Sequence, residues 1–166
     1  MDTNSETFID RLNVWLGRCV SWLSLVLVLI IIGDVFFRYA FSMTSSASFE
    51  LEWHIFAVMF LLSAGWAFKA DKHVRVDVFY SRFSHRNKAF VNLFGCIFLL
   101  SPLCVVGFLE GLQFTANAYM LGETSPDPGG LPGRFLVKSA IPIGFLLLGL
   151  QGISEIVKAL KTIFKK

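Results

Sequence analysis

Glu50, Glu52 and His54 stand together in FELEWHIFAVMFLL, at the threshold of an apolar run. Carboxylates beside an imidazole can relay protons, ligate a cation or anchor a helix where it meets water. On a helix Glu50 and His54, four apart, share a face, and Glu52 points away from both. Ser45, Ser46 and Ser48 precede them as candidate helix-start caps. Carboxylates in a first turn gain about 0.3–1 kcal/mol from the helix dipole. That placement puts both glutamates at the outer boundary of a span, whereas a proton relay needs acids deeper in the bilayer. The expectation is an interfacial anchor, or pairing with a basic group on a neighbouring helix or subunit.

Asp34 and Arg38 repeat the four-residue spacing at the end of the preceding apolar run. They can neutralise one another across one turn, and Arg38 can also reach the start of the next helix. The candidate site is therefore a polar cluster of Asp34, Arg38, Glu50, Glu52 and His54. Its expected role is to fix helix register or to dock a partner subunit, with no catalytic residue. Glu110, about 33 Å beyond Lys88 at helical rise, is expected near the far interface. Pro102 is expected to kink its run, and Pro142 to sit near the start of the last helix.

The elements that must carry these residues are read from four apolar runs. Hydrophobic residues make up 55% of the 166, charged residues only 16%, and mean hydropathy is +0.64. Soluble domains are nearer a quarter charged, so a soluble globule is excluded. The runs are 19–37, 53–68, 89–109 and 139–154, apolar on all sides rather than alternating as in a β-barrel. With flanking residues each reaches the roughly 20 residues that cross the hydrocarbon as helix. The fold expected is all-α and integral to the membrane. It is a single membrane domain over 1–166 with transmembrane helices at about 18–38, 49–69, 88–118 and 138–161.

Orientation follows from Lys and Arg, which concentrate in the connection 69–88 and in the tail after the fourth run. Both termini and the middle connection are expected in the cytoplasm. Phe8, Leu12, Trp15 and Leu16 recur at helical spacing among polar residues, predicting an amphipathic interfacial helix over about 5–17 that turns into the first span. In HVRVDVFY a short surface helix is preferred to a strand, which would leave backbone unpaired beside lipid. The candidate interfacial anchors are Trp15 in the N-terminal helix and Arg75 and Asp77 in this connection. The acidic N-terminus is not a secretory signal, so the first run is expected to be retained.

Other chemistries lack their residues. Cys19, Cys96 and Cys104 form no CxxC pair or metal spacing and read as small buried hydrophobes. Haem held within the bundle needs facing histidines, and only His54 is near a span. The basic connection suits anionic lipid rather than nucleic acid. A self-contained small transporter built on Glu50, Glu52 or His54 is the alternative reading. Against it, the centres of the four runs hold Leu, Ile, Val, Phe and Gly, with no central charge.

The run ELEWHIFAVMFLLSAGWAFKADKHVRVDVFYSRFS, Glu50 to Ser84, resembles the small membrane subunit of tripartite ATP-independent periplasmic (TRAP) transporters, the DctQ-like family. FFRYAF at 36–41 and SPDPGGLPGRFLVKSAIPIGF at 125–145 are similar to the same family in order and spacing. The resemblance spans about Leu12 to Leu160. It implies a four-helix subunit of the bacterial inner membrane without catalysis or a cofactor of its own. Its implied partners are a large membrane subunit with a sodium-coupled, elevator-type path and a periplasmic substrate-binding protein, usually for an organic acid. The small subunit is implied to extend the large subunit's static scaffold. Ending at KTIFKK, the chain resembles the separate rather than the fused form.

Overall fold

The computed structural model describes residues 7–70 and 83–164. Every regular element among them is helical: α1 (Phe8–Phe41), α2 (Ser46–Lys69), α3 (His85–Phe94), a π-helical segment (Gly95–Leu100), α4 (Ser101–Met120) and α5 (Phe135–Phe164). Four stretches, with α3 to α4 running as one, are long and apolar enough to cross a membrane. The surface helix expected around Arg75 and Asp77 lies outside the described residues.

α1, α2 and α3 start where the sequence supplies a cap. Thr7 opens α1 with a capping box: its hydroxyl accepts from the Asp10 N–H at 3.2 Å, and the Asp10 carboxylate accepts from the Thr7 N–H at 2.8 Å. Ser45 caps α2 by accepting from the Ser48 N–H, and Ser84 caps α3 by accepting from the Asn87 N–H. Ser42 ends α1 in the left-handed region at φ 53°.

Three differences from the sequence reading have local causes. α1 is unbroken for 34 residues, about 51 Å. The amphipathic start therefore does not turn in the headgroup plane; it continues the first span, and its polar side meets α5. α5 begins before Lys138, so Pro142 lies inside the helix and is buried. There it removes the N–H that would bond the Lys138 carbonyl. Around Pro102 the irregularity is a π-helical segment that ends one residue before Ser101, whose hydroxyl donates to the Cys96 carbonyl at 2.8 Å. Cys96 and Cys104 are buried as expected, but Cys19 is exposed on the outside of α1.

The helices form a layer centred on α5. α1 packs on α2, α2 packs on α5, and α3 and α4 pack on the other side of α5. In the most apolar stretch of α5, 39% of residues are buried within the chain, against 6% in α1 and in α2. Among the described residues α5 is thus the span most shielded by its own neighbours, ahead of α3–α4 at 17%. Small residues allow these crossings, as usual where lipid removes the hydrophobic drive between helices. A Cβ on Gly144 would come within 2.8 Å of the Leu61 carbonyl oxygen. One on Gly65 would come within 2.4 Å of Asn13 Oδ1 and 3.1 Å of the Leu147 carbonyl oxygen. The outer surface keeps large apolar side chains such as Trp22, Phe60 and Leu99, suited to acyl chains.

Candidate functional site

Glu50 lies in the second turn of α2, beyond the reach of a cap, and is 2% exposed. Its boundary-anchor reading assumed water around it; the loop between α4 and α5 covers it instead. Glu50 Oε1 accepts from Ser125 Oγ and from Arg134 Nη2 at 3.0 Å, and Oε2 accepts from the Leu131 N–H at 2.6 Å. Three donors occupy both oxygens, one of them a guanidinium and one a backbone N–H. The Arg134 guanidinium also stands over the Trp53 ring, 5.8 Å from its centroid.

The loop has the chemistry to be held in this way. Ser125 accepts from the Asp127 N–H at 3.0 Å while donating to Glu50. The Gly130 N–H closes a turn onto the Asp127 carbonyl, and the Ser125 N–H reaches the Leu131 carbonyl. Gly130 is required by proximity: a Cβ there would lie 2.3 Å from Ser125 Oγ and 2.8 Å from Glu50 Oε2. At the loop's base Lys138 pairs with Glu123, and its ammonium sits 3.8 Å from the Phe114 ring centroid.

The other expected members of the cluster are placed apart. Arg38 pairs with Asp34 on α1; Asp34 is nearly buried and Arg38 about half exposed. The cation on Glu50 is Arg134, so Arg38 does not join the first two helices through it. Glu52 points away from Glu50, into a shallow apolar groove with Leu27, Ile31 and Phe56. His54 faces the same loop as Glu50. It stacks on Trp53 at 3.9 Å between ring centroids, and its buried Nδ1 has no hydrogen-bond partner. It lines an open apolar cavity of about 390 Å³ with Leu23, Val58, Leu131, Pro132 and Leu136. Trp15 is exposed, while Arg75 and Asp77 lie outside the described residues.

A second polar cluster, which sequence reasoning missed, sits at the opposite end. Asp10, Asn13, Gln151 and Ser154 are each at most 1% exposed. Asp10 Oδ1 accepts from Gln151 Nε2 at 2.7 Å, Lys158 Nζ at 2.9 Å and Ser154 Oγ at 3.1 Å. Asn13 Nδ2 donates to Gln151 Oε1 at 3.0 Å, and Lys158 also reaches Glu155 at 2.8 Å. The signal was present as helical spacing in both strips: Asp10, Asn13 and Gly17 on α1, and Gln151, Ser154 and Lys158 on α5.

Arg134 and Ser154, members of the two clusters, are 20 residues apart along the chain into α5, or about 30 Å at helical rise, the thickness of a hydrocarbon core. Between them α2 and α5 meet through Leu61, Gly65, Gly144 and Leu147. The arrangement can hold helices and a loop in fixed positions at both membrane boundaries.

One protein family matches the chain, described as tripartite ATP-independent periplasmic transporters, DctQ component, over residues 27–162. No curated protein matches it.

Proposed function

The chain belongs to the DctQ component family of TRAP transporters, a multi-pass membrane component of a three-part transporter, and from that premise we propose how it serves. It acts as a non-catalytic scaffold subunit that packs against the large membrane subunit and extends its fixed part. The large subunit supplies the sodium-coupled, elevator-type path, and a periplasmic binding protein delivers an organic acid to it. This chain needs no cofactor. It lies in the inner membrane with both termini and the connection 69–88 in the cytoplasm, a reading that the Lys and Arg bias supports. The Glu50 cluster then faces the periplasm and the Asp10 cluster the cytoplasm.

The observation that carries this reading is the state of Glu50. A residue that moved a proton or bound a solute would keep an open side for it. Glu50 is instead filled by Ser125, Leu131 and Arg134 and works as a clamp on the loop. Reconstitution into proteoliposomes tests the proposal. Organic-acid uptake is expected only when the large subunit and binding protein are present with this chain. Uptake by this chain alone would overturn it in favour of a self-contained transporter.

A further inference from the structure

Glu110 is placed where a carboxyl group has no obvious reason to be. α4 and α5 run antiparallel in register: a Cβ on Gly111 would touch Pro142, one on Gly107 would touch Phe145, and one on Gly149 would touch Cys104. Glu110 is therefore level with about Pro142, eight residues beyond Arg134, or about 12 Å inward from the outer cluster at helical rise. With the outer cluster taken as the boundary, Glu110 lies inside it. It is exposed on the outside of α4 and makes no hydrogen bond or ion pair among the described residues.

Its neighbours along the helix extend the same feature. Leu103, Val106, Glu110, Gln113 and Asn117 recur at helical spacing and are all exposed, while Cys104, Gly111 and Ala118 face α5. The opposite edge of the layer differs. On α1 the outward stripe is Trp22, Leu25, Leu29, Ile32 and Phe36, apolar throughout. Ionisable side chains at such depth face a protein interior or an aqueous cavity and pair there, because lipid offers no partner. Glutamine and asparagine amides on spanning helices do the same across helix–helix contacts. The α1 edge suits lipid, and the α4 edge suits another protein.

We propose that the outward stripe of α4 centred on Glu110 docks this chain onto the large membrane subunit, against a spanning helix that carries a Lys or Arg at that depth. This rests on the scaffold reading above. The negative group on this side calls for a positive one on the other, and Gln113 and Asn117 supply hydrogen bonds towards the outer boundary. The stripe is interrupted by no bulky aromatic between Leu103 and Glu110, which allows a helix to approach along it.

Photocrosslinking in the complete complex tests it. A benzophenone amino acid is placed singly at Val106 or Gln113 on α4, and at Leu25 or Leu29 on α1, each with the tagged large subunit. Adducts with the large subunit are expected from the α4 positions and not from the α1 positions. Glu110→Lys is expected to lower recovery of the large subunit about tenfold, as juxtaposed like charges do, and Glu110→Gln much less. Adducts with the large subunit from α1 alone, or adducts between two copies of this chain from α4, would overturn the assignment. In those cases the wild-type complex still forms and the scaffold reading stands. If the wild-type chain does not co-purify with the large subunit, the scaffold reading itself fails, and this assignment with it.

Discussion

Glu50 and Asp10, the most deeply buried carboxylates among the described residues, do the same job with different materials. Glu50 holds a loop: its donors are a hydroxyl, a backbone N–H and a guanidinium from the 14 residues between α4 and α5. Asp10 holds a helix: Gln151, Ser154 and Lys158 all project from α5. A loop rich in glycine and proline has few apolar side chains with which to pack, so a charged acceptor that gathers its donors gives it one shape. Two spans in contact already have packing, and there buried polar pairs fix which turn meets which. Losing the first cluster should free a loop, whereas losing the second should loosen the layer.

The largest effect follows from Asp10→Ala. It takes from Lys158 and Gln151 their acceptor on α1, leaving them only Glu155 of their own helix, and removes the capping box of α1. Taking one partner from a buried ion pair costs about 3–5 kcal/mol, and the part-exposed Lys158 puts this case at about 3 kcal/mol. Thermal unfolding in detergent reads it, and a midpoint equal to wild type would mean that the cluster is not holding α1 to α5.

Gly65→Ala comes next. The new methyl would sit on Asn13 Oδ1 and against the Leu147 carbonyl at the meeting of α1, α2 and α5. Overpacking of this kind costs about 1–3 kcal/mol. Unfolding midpoints again check it, with Gly95→Ala, where a Cβ meets nothing within 4 Å, as the control for helix propensity.

Glu50→Ala is expected to act locally. Ser125, the Leu131 N–H and Arg134 lose their shared acceptor, so residues 121–134 should become open to limited proteolysis while helical circular dichroism stays at the wild-type level. Global loss of helix would show the two clusters to be alike and remove the distinction drawn between them. Arg38→Ala should be the mildest. An i,i+4 pair with a half-exposed cation is worth about 0.3–0.5 kcal/mol, so a midpoint shift as large as that of Asp10→Ala would place Arg38 in a wider network.

The helices themselves were legible because a span needs only length and apolarity, and the four runs have both. The sequence marks Glu50 together with Glu52 and His54, but the partners of Glu50 lie 75 to 84 positions away along the chain. Arg38 is the nearer cation in sequence, and nothing in the spacing marks Arg134 as the partner of Glu50. Lys138 interrupts the apolar run in sequence, yet α5 starts ahead of it, at Phe135. In the structure that charge is neutralised by Glu123 and covered by Phe114, so the helix passes through it.

Asp10 and Asn13 lie among the polar residues of the helix expected at the interface. Periodicity shows that a polar strip exists and cannot say whether water or another strip covers it. The complementary strip on α5 was written into the same sequence, within a run judged by its hydrophobicity alone. Glu110 shows the same limit: counting residues from Lys88 fixed its distance along the helix but not its level against α5, which the pairing of Gly111 with Pro142 supplies.

The account turns on Glu50 being a clamp rather than a working group. The most direct measurement is organic-acid uptake by the complete reconstituted transporter carrying Glu50→Gln, normalised to the amount of intact complex recovered. The account predicts that uptake per complex is unchanged from wild type. Abolished uptake in complexes that assemble and stay folded would contradict it, and would make Glu50 part of the path that the solute or its coupling ion takes.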